Sequence, residues 1–370
     1  MNLQNLRSCL IGLQQFLGGD KCSMSNNMNG FVNQAIPYRI EVVARGLIAP
    51  WAIDFAPDGR IFLTERPGRI RVVENGRLLP EPLITFSAPF VSIGEGGLLG
   101  LAVDPNFNAN HFLYVYHSYR VRGRIRNRVV RLVERNNKAT IDKILITNIP
   151  GNQLHNGGRL KIGPDGLLYI TTGDAEVAFS AQNRTSLSGK ILRIHLDGSI
   201  PGSNPFRGSP VYSLGHRNPQ GLAWNPRTGV LYESEHGASG HDEINLIRAG
   251  ANYGWPIIEG DERRRSLRLP LIHSGNRTWA PSGMTFVSRG PWRGQLLVAN
   301  LRGSQILRFA INRRNPRSIR LLSVFFRSRG RIRDVVERSD GSLYVLTSNR
   351  DGRGQARPGD DKLFRLRSIR

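Results

Sequence analysis

From Ile40 onward, short apolar runs alternate with clusters of Gly, Pro, Asp and Asn. Helical periodicity is nearly absent, and runs of this length with regular turn signals predict strands throughout. One unit recurs six times. It opens on a small or apolar entry strand, turns through a sequence such as Pro-Asp-Gly, and continues into a strand of the form Leu-Tyr-(Val/Ile)-Thr. It closes on a strand ending in Arg and an apolar residue. "WAIDFAPDGRIFLTE" is the first copy, "GGRLKIGPDGLLYITTGD" the third and "IRDVVERSDGSLYVLTS" the sixth. The turns near Asp58, Pro105, Asp165, Pro226, Arg289 and Asp340 are spaced by roughly 45 to 65 residues, the repeat length of propeller blades. The pattern therefore predicts an all-β fold, a six-bladed β-propeller over residues 37–370, preceded by a flexible extension over residues 1–36.

In a propeller, the innermost strand of each blade lines the central channel, and the segment before it sits at one mouth. Those segments are Ala49-Pro50-Trp51, Gly94-Glu95-Gly96-Gly97, Leu154-His155-Asn156-Gly157-Gly158, Gly215-His216-Arg217-Asn218-Pro219, Trp279-Ala280-Pro281-Ser282 and Arg331-Ile332-Arg333-Asp334. Polar and ionisable residues from distant parts of the chain thus converge on one mouth. A purely structural propeller needs no such set.

His155 is the strongest candidate for proton transfer, because imidazole titrates near neutral pH. The Asn-Gly-Gly after it leaves little side-chain bulk, so a ligand can approach the backbone. A turn histidine bonded to its neighbours is the competing reading. Arg217 offers a planar fork for carboxylate or phosphate. Arg331 and Arg333 alternate along a strand start and face the same way, and Arg302 falls in a loop of the fifth blade. Four arginines at one mouth imply an anionic ligand, with ordinary surface arginines as the alternative. In "SEHGASGHDEINLIRAGANYGWP", Asp242 and Glu243 offer carboxylates while Gly237 and Ala238 offer backbone carbonyls, a hard-oxygen set suited to Ca²⁺. Asp174, in "TTGDA", reads as a turn residue.

Charge widens the picture without redirecting it. The chain carries 52 Lys+Arg against 28 Asp+Glu, a formal net charge of +24. The arginines are spread along the whole sequence rather than gathered on one element, which argues against a specific nucleic-acid interface. Adsorption to polyanions is expected as a secondary property. No stretch reaches the roughly 18 apolar residues of a transmembrane helix. The N-terminus lacks the strong apolar run and small-residue cleavage site of a secretory signal. Cys9 and Cys22 have no metal-ligand spacing and read as incidental thiols.

Together, "EGGLLGLAVDPNF", "HNGGRLKIGPDGLLYITTGD", "GKILRIHLDG", "GHRNPQGLAWNP" and "DEINLIRAGANYGWP" resemble the soluble quinoprotein glucose/sorbosone dehydrogenase family, over about residues 40–370. The resemblance implies a propeller holding pyrroloquinoline quinone (PQQ) at the mouth with Ca²⁺ beneath it, and oxidation of an aldose at C1 to the lactone. It implies an external electron acceptor as partner and a place mostly outside the cytoplasm. It makes His155 the proton acceptor, with Arg217 polarising the accepting quinone oxygen. Glu95, Arg217, Asn218, Arg302, Arg331 and Arg333 match cofactor contacts. Gly237 and Ala238 match carbonyl ligands of the cofactor calcium, and Glu243 and Tyr253 match a second calcium site. The chain departs from the family pattern at Leu154, where a glucose-oxidising member has an acidic residue beside the histidine. It departs again at Glu95, in place of a glutamine-type contact, and at Arg302, in place of a lysine. A non-catalytic binding propeller is the alternative reading. A Ca²⁺-dependent lactonase stands behind it, disfavoured by the arginine-rich mouth.

Overall fold

The computed structural model describes residues 36–369. The extension expected over residues 1–36, with Cys9 and Cys22, falls outside the described residues but for Ile36.

Six antiparallel sheets radiate from a common axis. Their innermost strands are Pro50–Phe55, Leu98–Val103, Leu160–Ile162, Pro219–Trp224, Pro281–Phe286 and Ile332–Glu337. Each of these strands adjoins the next, and the last adjoins the first. The sequence-predicted six-bladed propeller is the fold. The ring is closed by the strand Tyr38–Ala44, which pairs with Leu363–Ser368 and so forms the outer edge of the sixth blade. Among the described residues no helix is long and apolar enough to cross a membrane.

The second strands of the blades are packed on both faces by neighbouring blades. Ile61–Glu65, Leu168–Thr172, Leu231–Glu235 and Leu343–Thr347 are buried at every position. Strands buried on both sides read as nearly unbroken apolar and β-branched runs, which is why they dominate the repeat. Aromatic pairs bridge five of the blade interfaces: Phe62–Phe107, Tyr169–Trp224, Tyr232–Phe286, Trp292–Tyr38 and Phe55–Tyr344. Such pairs combine large buried area with favourable ring geometry.

Two local devices recur at the ends of the blades. At the far end, Asp58, Asp165 and Asp340 each accept a hydrogen bond from the amide two residues on. A glycine at positive φ follows each of them, so the Pro-Asp-Gly signal is a side-chain-braced turn. At the mouth end, five of the six inner strands carry a register shift near their first residues. A bulge there re-aims side chains toward the opening. Below the mouth the axis is filled. Arg159 makes a 2.8 Å salt bridge to Asp334, both buried, and donates to the Gln220 carbonyl. Its guanidinium lies 4.4 Å from the Trp51 ring centroid.

Candidate active site

A cavity of about 450 Å³ opens at the mouth. His155, Arg217, Glu95, Arg302, Arg331, Arg333, Gly237 and Ala238 all line it. The structure thus brings together candidates drawn from five blades. Asn218 is not on the cavity wall. It is fully buried just behind it, where its Oδ1 accepts from the Gly157 amide at 3.0 Å. Its amide nitrogen lies 3.5 Å from Nδ1 of His236, another residue of the wall.

The loop before the third blade holds His155 in a left-handed conformation, φ +53°. Asn156 anchors that loop: its side chain reaches the Asn152 carbonyl and receives the Asn127 amide, and its own carbonyl accepts from Tyr116. Gly173 lets the loop lie directly on the end of the second strand, since a Cβ there would stand 1.9 Å from the His155 carbonyl. This close approach places Asp174 beside the imidazole. Asp174 Oδ1 lies 2.9 Å from His155 Nδ1, and its Oδ2 accepts from Trp255 Nε1 at 2.8 Å. Burial works against the Asp174 charge. Hydrogen bonds from His155, the Glu176 amide and Trp255, with the charge His155 can carry, outweigh it and hold the carboxyl below the usual range. Nδ1 is therefore committed to a carboxylate, which leaves Nε2 as the nitrogen available to the cavity. Leu154 is no handicap: the acidic partner of His155 comes from the neighbouring strand end, and the sequence reading of Asp174 as a turn residue missed it.

Arg217 donates its amide to Glu235 at 2.6 Å and stacks over Trp255, 5.3 Å from the ring centroid. His155, Asp174, Trp255 and Arg217 thereby form one connected chain. Arg333 is buried. It donates to Gln220 at 2.8 Å, and burial, with Arg331, Arg66 and Arg159 nearby, lowers its pKa to about 9 despite Asp351. Arg331 pairs with Asp351 at 2.7 Å. Arg66, which sequence reasoning did not single out, also lines the cavity and donates to the Asp351 carbonyl. The Nε atoms of Arg66, Arg217 and Arg333 are buried without a hydrogen-bond partner. Unpaired buried donors of this kind carry a desolvation cost. Glu95 is held by Arg353 at 3.1 Å and accepts from the His155 amide at 3.3 Å, so its charge is already matched on the rim.

The Gly237 and Ala238 amides turn toward Asp242 and Glu259, at 3.1 and 3.3 Å. Among the described residues no donor reaches their carbonyl oxygens. Asp242 is fully engaged by the amides of Gly237, Trp279 and Ala280. Glu243 and Tyr253 lie away from this cavity, against a small pocket behind Arg217. Glu243, Glu233 and Glu235 surround the Asn245 amide nitrogen at 3.1–3.2 Å. Burial and the neighbouring Glu235 raise Glu243 to about 8, and they push Glu233 well above the carboxylate range. A divalent cation would relieve this crowding. The Tyr253 hydroxyl is already bonded to the Leu246 carbonyl and the Arg248 amide, so only its backbone carbonyl is open to a cation.

A family model for glucose/sorbosone dehydrogenase matches residues 47–357. This chain belongs to that family. The aldose sugar dehydrogenase YliI of Escherichia coli is 33% identical over 344 residues, covering 85% of this chain and 91% of its own. A solved putative oxidoreductase (glucose dehydrogenase) from Thermus thermophilus is 45% identical, with a TM-score of 0.82, over 89% of this chain and 100% of its own. The PQQ-bound aldose sugar dehydrogenase of Streptomyces coelicolor is 34% identical, with a TM-score of 0.81, over 90% and 98% of the two chains.

Proposed function

We propose that this chain is a PQQ- and Ca²⁺-dependent sugar dehydrogenase that oxidises an aldose at C1 to the lactone and passes the electrons to an external acceptor. The observation that carries the reading is the juxtaposition of an Asp174-oriented imidazole with Arg66, Arg217, Arg331 and Arg333, all on one cavity. An ortho-quinone with three carboxylates fits that donor set in charge and in hydrogen-bonding sense. When bound, PQQ supplies the two-electron acceptor that the side chains lack.

The chain's own residues would do the rest. His155 Nε2 takes the C1 hydroxyl proton, and Asp174 offsets the charge this places on the ring. Arg217, stiffened by Trp255 and by its amide bond to Glu235, polarises an oxygen placed before it. Arg66, Arg331 and Arg333 hold carboxylates, and the Gly237 and Ala238 carbonyls are suited to a hard cation beside them. A hydrolytic reading has less support: the axis below the cavity is closed by the Arg159–Asp334 ion pair rather than by a cage of free carboxylates.

The test is reconstitution. Purified protein is titrated with PQQ and Ca²⁺, and dye reduction is followed with a panel of aldoses. A saturable change in PQQ absorbance with sugar-dependent dye reduction is expected. Neither change at any sugar would overturn the reading.

A further inference from the structure

A second groove, of about 600 Å³, adjoins the active-site cavity. The two share Leu301, Arg302, Arg331 and Arg353 as wall residues. Six cationic side chains line the groove: Arg302, Arg329, Arg331, Arg353, Arg357 and Lys362. The only carboxylate on its wall is Asp360, which is buried. Asp360 is already taken up by Lys362 at 3.0 Å, by the Asn349 amide at 3.0 Å and by the Arg357 backbone at 2.9 Å. Arg302, Arg329, Arg353 and Arg357 are exposed. Among the described residues, neither Arg302 nor Arg357 has a side-chain partner. Arg329 rests over the faces of Phe326 and Phe364, 5.3 and 5.4 Å from their centroids.

Arg331 and Arg353 also pair with Asp351 and Glu95 beyond the groove wall, so among the described residues the charge left without an acidic partner is that of Arg302, Arg329 and Arg357. The only apolar ring on the groove wall, Phe364, is buried beneath Arg329, so a stacking platform for sugar rings is missing. What the groove offers is a strong positive field reaching from solvent to the edge of the redox site. Fields of this kind steer oppositely charged partners and raise association rates by 10–10³-fold at low salt.

We infer that this groove docks an acidic one-electron carrier protein, the external acceptor of the dehydrogenase reading on which this inference rests. Two carrier molecules in turn would each accept one electron from the reduced cofactor, whose two protons leave to solvent. The contact is small and brief, as electron-transfer encounters are.

The charge-reversal pair R329E/R357E tests it, because neither residue lines the active-site cavity. R357E alone guards against loss of folding from the Arg329 ring contacts. The control is R313E/R317E, the same charge change in the exposed turn at the far end of the fifth blade. Binding of an acidic c-type cytochrome to the cofactor-free protein is measured by stopped flow at low and high salt. The groove variants are expected to lower the association rate at least roughly tenfold at low salt, with the difference vanishing at high salt. The control should change it less than about twofold. Turnover of the PQQ-loaded variants with a neutral dye should be unchanged. Equal loss in groove and control variants would overturn the inference, as would a basic cytochrome binding as fast as the acidic one. If the protein shows no PQQ-dependent turnover yet binds the acidic cytochrome through the groove, the dehydrogenase reading fails and the docking surface stands.

Discussion

Two histidine–carboxylate pairs stand in neighbouring blades and have opposite fates. His155 and Asp174 meet at 2.9 Å on the wall of the mouth cavity. His216 and Glu235 meet at 3.1 Å in the blade interior, where the His216 ring is fully buried. The first pair leaves Nε2 of the histidine facing a cavity. In the second, Nε2 is taken by the Ser213 hydroxyl at 2.9 Å, and the ring stacks on Tyr253 at 4.8 Å. Pairing a histidine with a carboxylate does not make a base. What decides is whether the second nitrogen has been left without a protein partner.

The sharpest way to break this comparison is to delete both histidines separately. H155A should cost at least about 10²-fold in turnover, the contribution of a placed general base, with PQQ binding retained. H216A should instead cost stability, about 1–3 kcal/mol, because Ser213 and Glu235 lose a buried partner, with turnover per folded molecule largely kept. Thermal melts and active-site titration separate the two. If H216A lost as much turnover as H155A while remaining folded, the contrast would collapse.

Asp174 comes next. D174N removes the charge beside Nδ1 but keeps the shape, and turnover should fall about tenfold, a fraction of the full general-base effect. If Asp174 acts through His155, the double variant H155A/D174N should be no worse than H155A alone. Additive losses would show an independent role for Asp174, for instance through Trp255.

The difference between the two pairs was partly legible in the sequence. The six-fold repeat set the fold because second strands packed on both faces must be apolar throughout, and that signature survives in one dimension. It also placed His155, Arg217, Arg331 and Arg333 at one mouth, since each precedes an inner strand. Asp174, Arg66, His236 and Asp351 were missed for a geometric reason. Adjacent strands are antiparallel, so the exit of each second strand returns to the same mouth as the entry of the first. Glu65-Arg66, Gly173-Asp174 and Glu235-His236 occupy those exits, a periodic signal that was available but was read only for Arg302. The sealing of His216 was not legible, because it depends on Ser213, Glu235 and Tyr253 meeting in three dimensions.

A third histidine sharpens the point at the smallest scale. His117 lies fully buried in the second blade. Its Nε2 accepts from Arg128 Nε at 3.0 Å and its Nδ1 bonds the Ser118 carbonyl, a pattern that fits the neutral ring with the proton on Nδ1. Burial, with the Arg128 charge beside it, lowers its pKa to about 4, against the pull of the Ser118 carbonyl. The unfolded chain, with an ordinary histidine pKa near 6.5, takes up this proton first as pH falls. The associated stability is therefore complete above about pH 6.5 and is lost progressively toward pH 4. H117Q, which cannot take up a proton here, should lose about 2 kcal/mol less than the wild type between pH 7 and pH 5. Denaturant melts at the two pH values measure this difference, and neutral-pH turnover should not change. An identical pH dependence in both proteins would mean that His117 is not held neutral by its surroundings, and that sealing a histidine inside a blade has no titration cost.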